Sequence, residues 1–533
     1  DAGPNVREQY QRAGAGDEER RHEDEHVLEL ERDADERERR LRAARNRIKR
    51  PAAARQKRDE WHEHVDADAV ENSAQEAEQD EQRELLDPET VRDAKNQTTT
   101  FGYDIVGRLT SVTNALSQPK GFVYDKKGNL TSLTDAKNQT ISFEYDPKDR
   151  LTVKHLPEGN VTYQYDLVGN VTRIAHHNGS VVEMSYDNLN RLTQSRQTLP
   201  GGFQATITYA YDANGNKTQM TTPWGIFTYA YDTLNRLTKI TNPEGKIFTF
   251  GYDSLGRRNR LNYPNGIETT YAYDAASQLT QILHRQTVDN TAIAFANYTY
   301  DNAGNRISME DITGTHTYTY DDLHRLISAT HPPGSNIQTK NEFFDYDGVG
   351  NRTADANLTA YQYDAANRLL ENSSFTYTHD ANGNMTGTSD KLTLQATSYA
   401  YDSENQLKQV SLPGGPVFAA KYDGLGRRIE KSTGAAAGQT TRYIYDAEDI
   451  VAMLDGNNGR VAVFTHGPGI DEPLMMRRTD GQEFFMHADG LGSIVANADG
   501  AGGVVERLEF EAYGKCVFLE NGGAFAIANR SLT

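Results

Sequence analysis

The sequence predicts an all-β protein, a repetitive antiparallel array of β-hairpins, preceded by a charged segment that is disordered or helical. Three observations carry that prediction. A Tyr-Asp pair recurs at Tyr103, Tyr124, Tyr145, Tyr165, Tyr186, Tyr211, Tyr231, Tyr252, Tyr273, Tyr300, Tyr320, Tyr346, Tyr363, Tyr401, Tyr422 and Tyr445, and most neighbouring copies lie 20 or 21 residues apart. A fixed period of that size marks a repeat architecture. An aromatic residue stands two places before the tyrosine in most copies, as in Phe143/Tyr145, Tyr229/Tyr231 and Phe250/Tyr252, and residues i and i+2 share one face of a strand. Gly or Asn follows three residues after the aspartate, where a hairpin turn needs left-handed backbone.

Residues 1–87 are different in kind. They are packed with Arg, Glu, Asp and His, as in Asp17-Glu18-Glu19-Arg20-Arg21-His22-Glu23, and their aromatics are Tyr10 and Trp61. Such a composition cannot bury enough apolar surface to offset the entropy of folding. Val27 to Arg47 suits a charged helix, with Leu28, Leu41 and Ala44 too sparse for an apolar seam. Trp61-His62-Glu63-His64 brings metal-ligand residue types together, but without a second cluster or the helical His-x-x-x-His spacing it reads as a solvated charge run. The join to the array is abrupt. Asp93-Ala94-Lys95-Asn96-Gln97-Thr98 returns identically as Asp135-Ala136-Lys137-Asn138-Gln139-Thr140, so the repeat is in phase at once. Repeat arrays ordinarily begin with an atypical capping unit. The expectation is that residues 1–85 are foreign to the array, either a disordered added segment or a misread upstream frame.

Within the array, residues 88–446, each unit reads as strand, turn, strand. Thr, Tyr and Phe suit a half-buried pleated surface. The aspartate opens the turn by accepting backbone N–H groups two residues on. Gly128, Gly169, Gly215, Gly256, Gly304, Gly350 and Gly426, or Asn190, Asn235, Asn367 and Asn405, take the left-handed position; Asn is the next-best residue there. Pro119-Lys120-Gly121, Pro157-Glu158-Gly159, Pro243-Glu244-Gly245 and Pro264-Asn265-Gly266 are read as turns on the opposite edge. The longer spacings after Tyr186, Tyr273 and Tyr320 are read as longer hairpin loops, and His379-Asp380 as a degenerate copy. Tyrosine rings are expected to form ladders across strands while their hydroxyls stay in water.

Composition bounds the function. The 533 residues carry a net charge of −20 and a pI near 5.2, which argues against a non-specific nucleic-acid binder and against docking on anionic lipid. One cysteine, Cys516, excludes an intrachain disulfide framework or a Cys-rich zinc site. No apolar run approaches the roughly 20 residues of a membrane-spanning helix, and no signal peptide is visible at the start of a chain that opens on Asp1 rather than Met.

The Tyr-Asp-x-x-Gly-Arg-Leu-Thr period resembles the YD repeats of the RHS (rearrangement hotspot) proteins, which are similar to bacterial wall-associated proteins, Tc toxin C components and teneurins. The resemblance spans roughly residues 88–515. After Tyr445 the rhythm changes. Gly467-Pro468-Gly469-Ile470-Asp471-Glu472-Pro473-Leu474, Phe484-Phe485-Met486-His487-Ala488-Asp489-Gly490 and Phe510-Glu511-Ala512-Tyr513-Gly514 look like the opening of the RHS repeat-associated core domain, so residues 447–533 are expected to be its truncated start. The resemblance implies a sheet that spirals into a hollow, cocoon-like shell. It also implies, as partner, a C-terminal toxin cargo whose position lies beyond Thr533. The family's aspartyl autoproteolysis site has no counterpart here, so no catalytic residue carries over. A secreted or cell-surface bacterial location follows from the same resemblance.

Candidate chemistry is thin. His487, Asp489 and Ser493 are close in sequence, but a hydrolytic triad is a spatial arrangement and adjacency is poor evidence for one. The aspartates of the Tyr-Asp pairs are accounted for by turns, and the glycine-rich nonapeptide of calcium-binding β-rolls is absent. Cys516 reads as a small packing residue. The sequence therefore nominates no catalytic, cofactor-binding or metal-ligating residue and no cofactor. The leading reading is a structural shell without enzymatic activity. The alternative is a surface adhesin whose tyrosines stack on carbohydrate.

Overall fold

The computed structural model describes residues 89–434 and 439–518. Two compact units are distinguished. One comprises Pro88–Asp104 and Arg108–Glu520 and holds all the strands discussed below. Of the other unit, the described residues are Ile105–Gly107, the tip of one turn. The expectations for residues 1–87, including the Trp61-His62-Glu63-His64 cluster, and for the last residues of the chain lie outside the described residues.

Every regular element among the described residues is a β-strand, from β1 (Glu89–Arg92) to β41 (Cys516–Phe518). Each strand pairs antiparallel with its neighbours in the chain, except between β25 (Arg352–Asp355) and β26 (Gln362–Tyr363), where a 25-stranded sheet gives way to a 16-stranded one. Side chains bridge that break: the Tyr363 hydroxyl donates to the carbonyl of Arg352 at 2.7 Å. The second sheet continues through residue 446, where β34 (Gln439–Asp446) pairs with β35 (Asp449–Asp455).

One unit shows how the motif folds. In β14 (Gly225–Tyr231) and β15 (Leu237–Thr241), the register slips between Ala230 and Tyr231, so that Tyr231 faces Leu237 across a bulge. The turn between them is closed by Asn235 N–H to the Asp232 carbonyl and Asp232 N–H to the Arg236 carbonyl, both 3.0 Å. Asn235 has φ 60°. Gly256, Gly304, Gly350, Asn190 and Asn405 hold positive φ at the equivalent place, as the spacing predicts. Asp149, Ser277 and His324 also do so, at φ 61°, 65° and 61°, which shows that the turn imposes its conformation on residues that do not favour it.

The structure corrects three details of the strand assignment. Pro119-Lys120-Gly121 is not a turn: it opens β4 (Pro119–Tyr124), and the reversal falls on the preceding residues, with Ser117 N–H bonded to the Asn114 carbonyl. The extra residues after Tyr186 and Tyr273 lengthen strands, not loops. They build β11 (Leu192–Thr198), β12 (Gln204–Tyr211), β19 (Leu279–Gln286) and β20 (Ala292–Tyr300). Only the stretch between β23 (Leu326–Thr330) and β24 (Asn341–Tyr346) is a long loop.

The strand array winds back on itself. Asn367 donates to Asp93, 274 residues earlier. Ser403 N–H and hydroxyl donate to Glu158, 245 residues earlier. The Gln197 amide bonds both the carbonyl and the N–H of Tyr445, at 2.6 and 3.0 Å across 248 residues. The Tyr263 hydroxyl reaches the Met486 carbonyl, 223 residues on, and Ser335 reaches Glu509, 174 residues on. The contacts advance together along both sheets. They place the Pro157-Glu158 edge of one circuit against the Tyr-Asp edge of the next, and the circuit shortens toward the C-terminal end. Phe248, Leu261, Tyr263 and Ile267 from the first sheet meet Leu474, Met475, Phe485 and Ala498 from the second in one buried cluster along this seam.

Candidate functional site

The repeated motif is itself the best-defined site, and its task is to join units. The Asp232 carboxylate accepts the N–H groups of Leu234 and Arg236 on one oxygen and the Arg236 Nε–H on the other, at 2.9, 3.0 and 2.7 Å. Those donors hold its pKa below the ordinary carboxylate value, the backbone N–H of Arg236 foremost. The guanidinium of Arg236 then lies over the ring of Tyr252 in the next unit, 4.7 Å from its centroid. The Tyr252 hydroxyl donates back to the carbonyl of Leu237 at 2.8 Å. Arg257 repeats the arrangement over Tyr273, whose hydroxyl bonds the Arg258 carbonyl, and Arg427 does so over Tyr445. In several units the arginine also donates to the carbonyl that opens the next turn, as Arg150 does to Asp166.

This overturns the expected role of the tyrosine hydroxyl, which is tied to backbone instead of water. It also replaces the expected tyrosine ladder by one in which arginine and tyrosine alternate. The physical reason lies in the bulge: slipping the register at each tyrosine leaves a carbonyl of the return strand without a ladder partner, and the hydroxyl one unit on satisfies it. The residue that sequence reasoning missed is the one four places after the aspartate. It is Arg236, Arg257 or Arg325 in some units and Asn170, Asn216, Asn305 or Asn384 in others. Every one of these carries a side-chain N–H that reaches the second carboxylate oxygen.

The candidate hydrolytic residues do not converge. His487 is fully buried with neither ring nitrogen hydrogen-bonded, its ring 4.6 Å from that of Tyr263 and 5.1 Å from that of His284. Burial, followed by the neighbouring His284, holds its pKa well below the usual imidazole value. Asp489 uses one carboxylate oxygen to accept the N–H groups of Leu491 and Ser493, both at 2.9 Å, as in every other turn of the array. Cys516 is half-buried on β41.

A second polar cluster was not legible in the sequence. His316 and His331 face each other through Nδ1 at 2.8 Å, His331 Nε2 meets Glu342 at 2.6 Å, and Glu342 in turn accepts the N–H of Ala512 at 3.0 Å. These residues sit beside a cavity of about 400 Å³ between β19–β23 and the strands that follow β38 (Glu483–Ala488). Among the described residues no group of three or more His, Cys, Asp or Glu is arranged to hold a metal ion. No helix among them is long and apolar enough to cross a membrane.

The comparisons with known proteins agree with this geometry. The family model described as teneurin YD-shell matches residues 76–178 and 313–525, and that of the RHS repeat matches residues 165–204 and 231–268. The tRNA3(Ser)-specific nuclease WapA of Bacillus spizizenii is 27% identical over 206 residues, which are 37% of this chain and 8% of that protein. The double-stranded DNA deaminase toxin A of Burkholderia cenocepacia is 27% identical over 247 residues, 41% of this chain and 17% of the toxin. Among solved structures, the crystal structure of TcdB2-TccC3-Cdc42 superimposes with a TM-score of 0.68 at 17% identity, covering 84% of this chain and 27% of that one. The chain thus spans less than a third of the length of each of these proteins, and the structural likeness is one of fold. With the model match extending over more than half of its residues, the chain belongs to the teneurin YD-shell family of RHS-repeat proteins.

Proposed function

We propose that this chain is a wall segment of an RHS-type toxin container: it surrounds a polypeptide carried in the same natural protein and performs no chemistry of its own. The observation that supports this reading most is the seam. A sheet built only to display side chains needs hairpins; it does not need the edge of one circuit to be bonded residue by residue to the edge of the next, as Glu158 is to Ser403 and Gln197 to Tyr445. Relatives whose names specify a tRNA nuclease and a DNA deaminase toxin support the companion claim that the enclosed cargo is a toxic enzyme. In this proposal residues 88–446 form the repeat wall, residues 447–533 open the core domain, and residues 1–87 stand apart from both. The protein acts outside the cell that makes it.

The carbohydrate-stacking alternative is not favoured. The ring face that a sugar would need is covered by arginine in unit after unit, as over Tyr165, Tyr252 and Tyr346. The test is protease protection of the full natural protein. The polypeptide that follows the array is expected to stay uncut while the wall is folded and to be cut once urea opens it. Cleavage at the same rate with and without urea, or an open ribbon in electron micrographs, overturns the container reading.

A further inference from the structure

The cavity beside the histidine cluster is built in a way that the wall alone does not require. Its lining is largely apolar, with Ile282, Ala294, Ala296, Leu508 and Phe510 prominent, and Leu491 and Ile312, both exposed, stand at its mouth. Set into that lining are two ionic groups that the protein leaves half-used. Glu509, only 5% exposed, is fixed through one carboxylate oxygen, which accepts the Ser335 hydroxyl and the Asn336 N–H, both at 2.8 Å. Its other oxygen has no hydrogen-bond partner. Arg306 is held with its guanidinium 4.1 Å from the centroid of the Tyr298 ring, and its Nε–H is likewise without an acceptor. The remaining carboxylates of the lining are engaged: Asp489 in its turn, Asp311 with Thr313 and His316. A buried acceptor and a buried donor left open cost stability, and both line the same cavity.

We propose that this cavity is a docking site for an extended, apolar polypeptide segment, whose backbone N–H groups meet the open oxygen of Glu509 and whose carbonyls meet Arg306. A peptide backbone offers one donor and one acceptor at every residue, and aliphatic side chains suit the walls between them. The volume falls within the ~300–1,000 Å³ typical of ligand pockets. This deepens the container reading and rests on it for the source of the segment, an anchor point for carried polypeptide on the wall.

The test needs no cargo. A fluorescein-labelled acetyl-Leu-Val-Leu-Val-Leu amide is titrated with the full chain and followed by anisotropy. Saturable binding is expected, and Glu509→Gln is expected to weaken it at least tenfold. The glutamine oxygen must still serve Ser335 and Asn336, which turns its NH₂ group, a donor, toward the peptide N–H. Arg306→Met is expected to weaken binding as well, and replacing the central amides of the peptide by esters is expected to matter less in Glu509→Gln than in the wild type. Circular dichroism and the melting temperature confirm that the variants keep the sheet. Absence of saturable binding, equal affinity of wild type and Glu509→Gln, or full competition by free leucine at the peptide's own concentration would overturn the assignment. Any of these results leaves the protease-protection test of the container untouched.

Discussion

The arginine of the repeat does different work in different surroundings, although its sequence context barely changes. Arg236 and Asp232 are partly open to solvent, with side-chain exposures of 29% and 23%, and exposed ion pairs contribute about 0–1 kcal/mol. Arg427 and Asp423 are at 7% and 2%, and removing one partner of a buried pair costs roughly 3–5 kcal/mol because the other charge is stranded. Arg236→Met is therefore expected to shift the urea midpoint little and Arg427→Met greatly; equal shifts would show that burial is not what decides. Tyr252→Phe isolates the hydroxyl. It should lose about 1 kcal/mol, the usual net contribution of one hydrogen bond, measured by the same denaturation. The turn position behaves likewise. At φ 60°, Asn235→Ala should destabilise by about 1 kcal/mol, and Asn235→Gly by less, since glycine meets no steric penalty there.

At the scale of the element, the hairpin was legible because everything that defines it is local. The period, the aromatic pair of β14 and the Asn or Gly of the turn all act within ten residues, and the structure places each as read. What escaped was whatever joins one hairpin to another. Arg236 reads as the solvated start of a strand until Tyr252 is seen beneath it, although the alternation of Arg with Asn and Gln at that position, all side-chain N–H donors, was a usable signal. The seam escaped for a stronger reason. Nothing near Gln197 indicates that its amide will complete the backbone of Tyr445, 248 residues away. That pairing carries its own prediction. Gln197→Leu leaves a buried N–H and a buried carbonyl without partners, at about 1–3 kcal/mol each, and should lower the melting temperature more than a leucine placed at exposed Thr238. The open groups of Glu509 and Arg306 were out of reach for the same reason: the cavity exists only where two circuits meet.

The whole molecule should respond to acid through its buried histidines. Burial lowers the His284 pKa to about 4 and holds that of His487 well below the ordinary 6.5. Both are neutral in the folded state and take up protons more readily when unfolded. Their contribution is therefore intact above pH 6.5 and is lost as the pH falls from there toward 4, by up to about 1.4 kcal/mol per pH unit for each uncompensated proton. Buried Asp402, raised to about 6, acts in the opposite sense over the same interval. The histidine effect is accordingly read as a difference: between pH 7 and pH 5 the wild type should lose more stability than His487→Phe, and parallel curves would refute the assignment. The joint between units has a further consequence, for how such a chain changes over generations. Tyr252 closes on Leu237 just as Tyr273 closes on Arg258, so excising a whole unit brings together a hydroxyl and a carbonyl that already fit. Gene copies that misalign by one period, as the identical stretches at residues 93–98 and 135–140 invite, would still encode an unbroken sheet. Only the rim contacts, Gln197 with Tyr445 among them, record how many units a circuit should hold, and they set the step in which its circumference can grow or shrink.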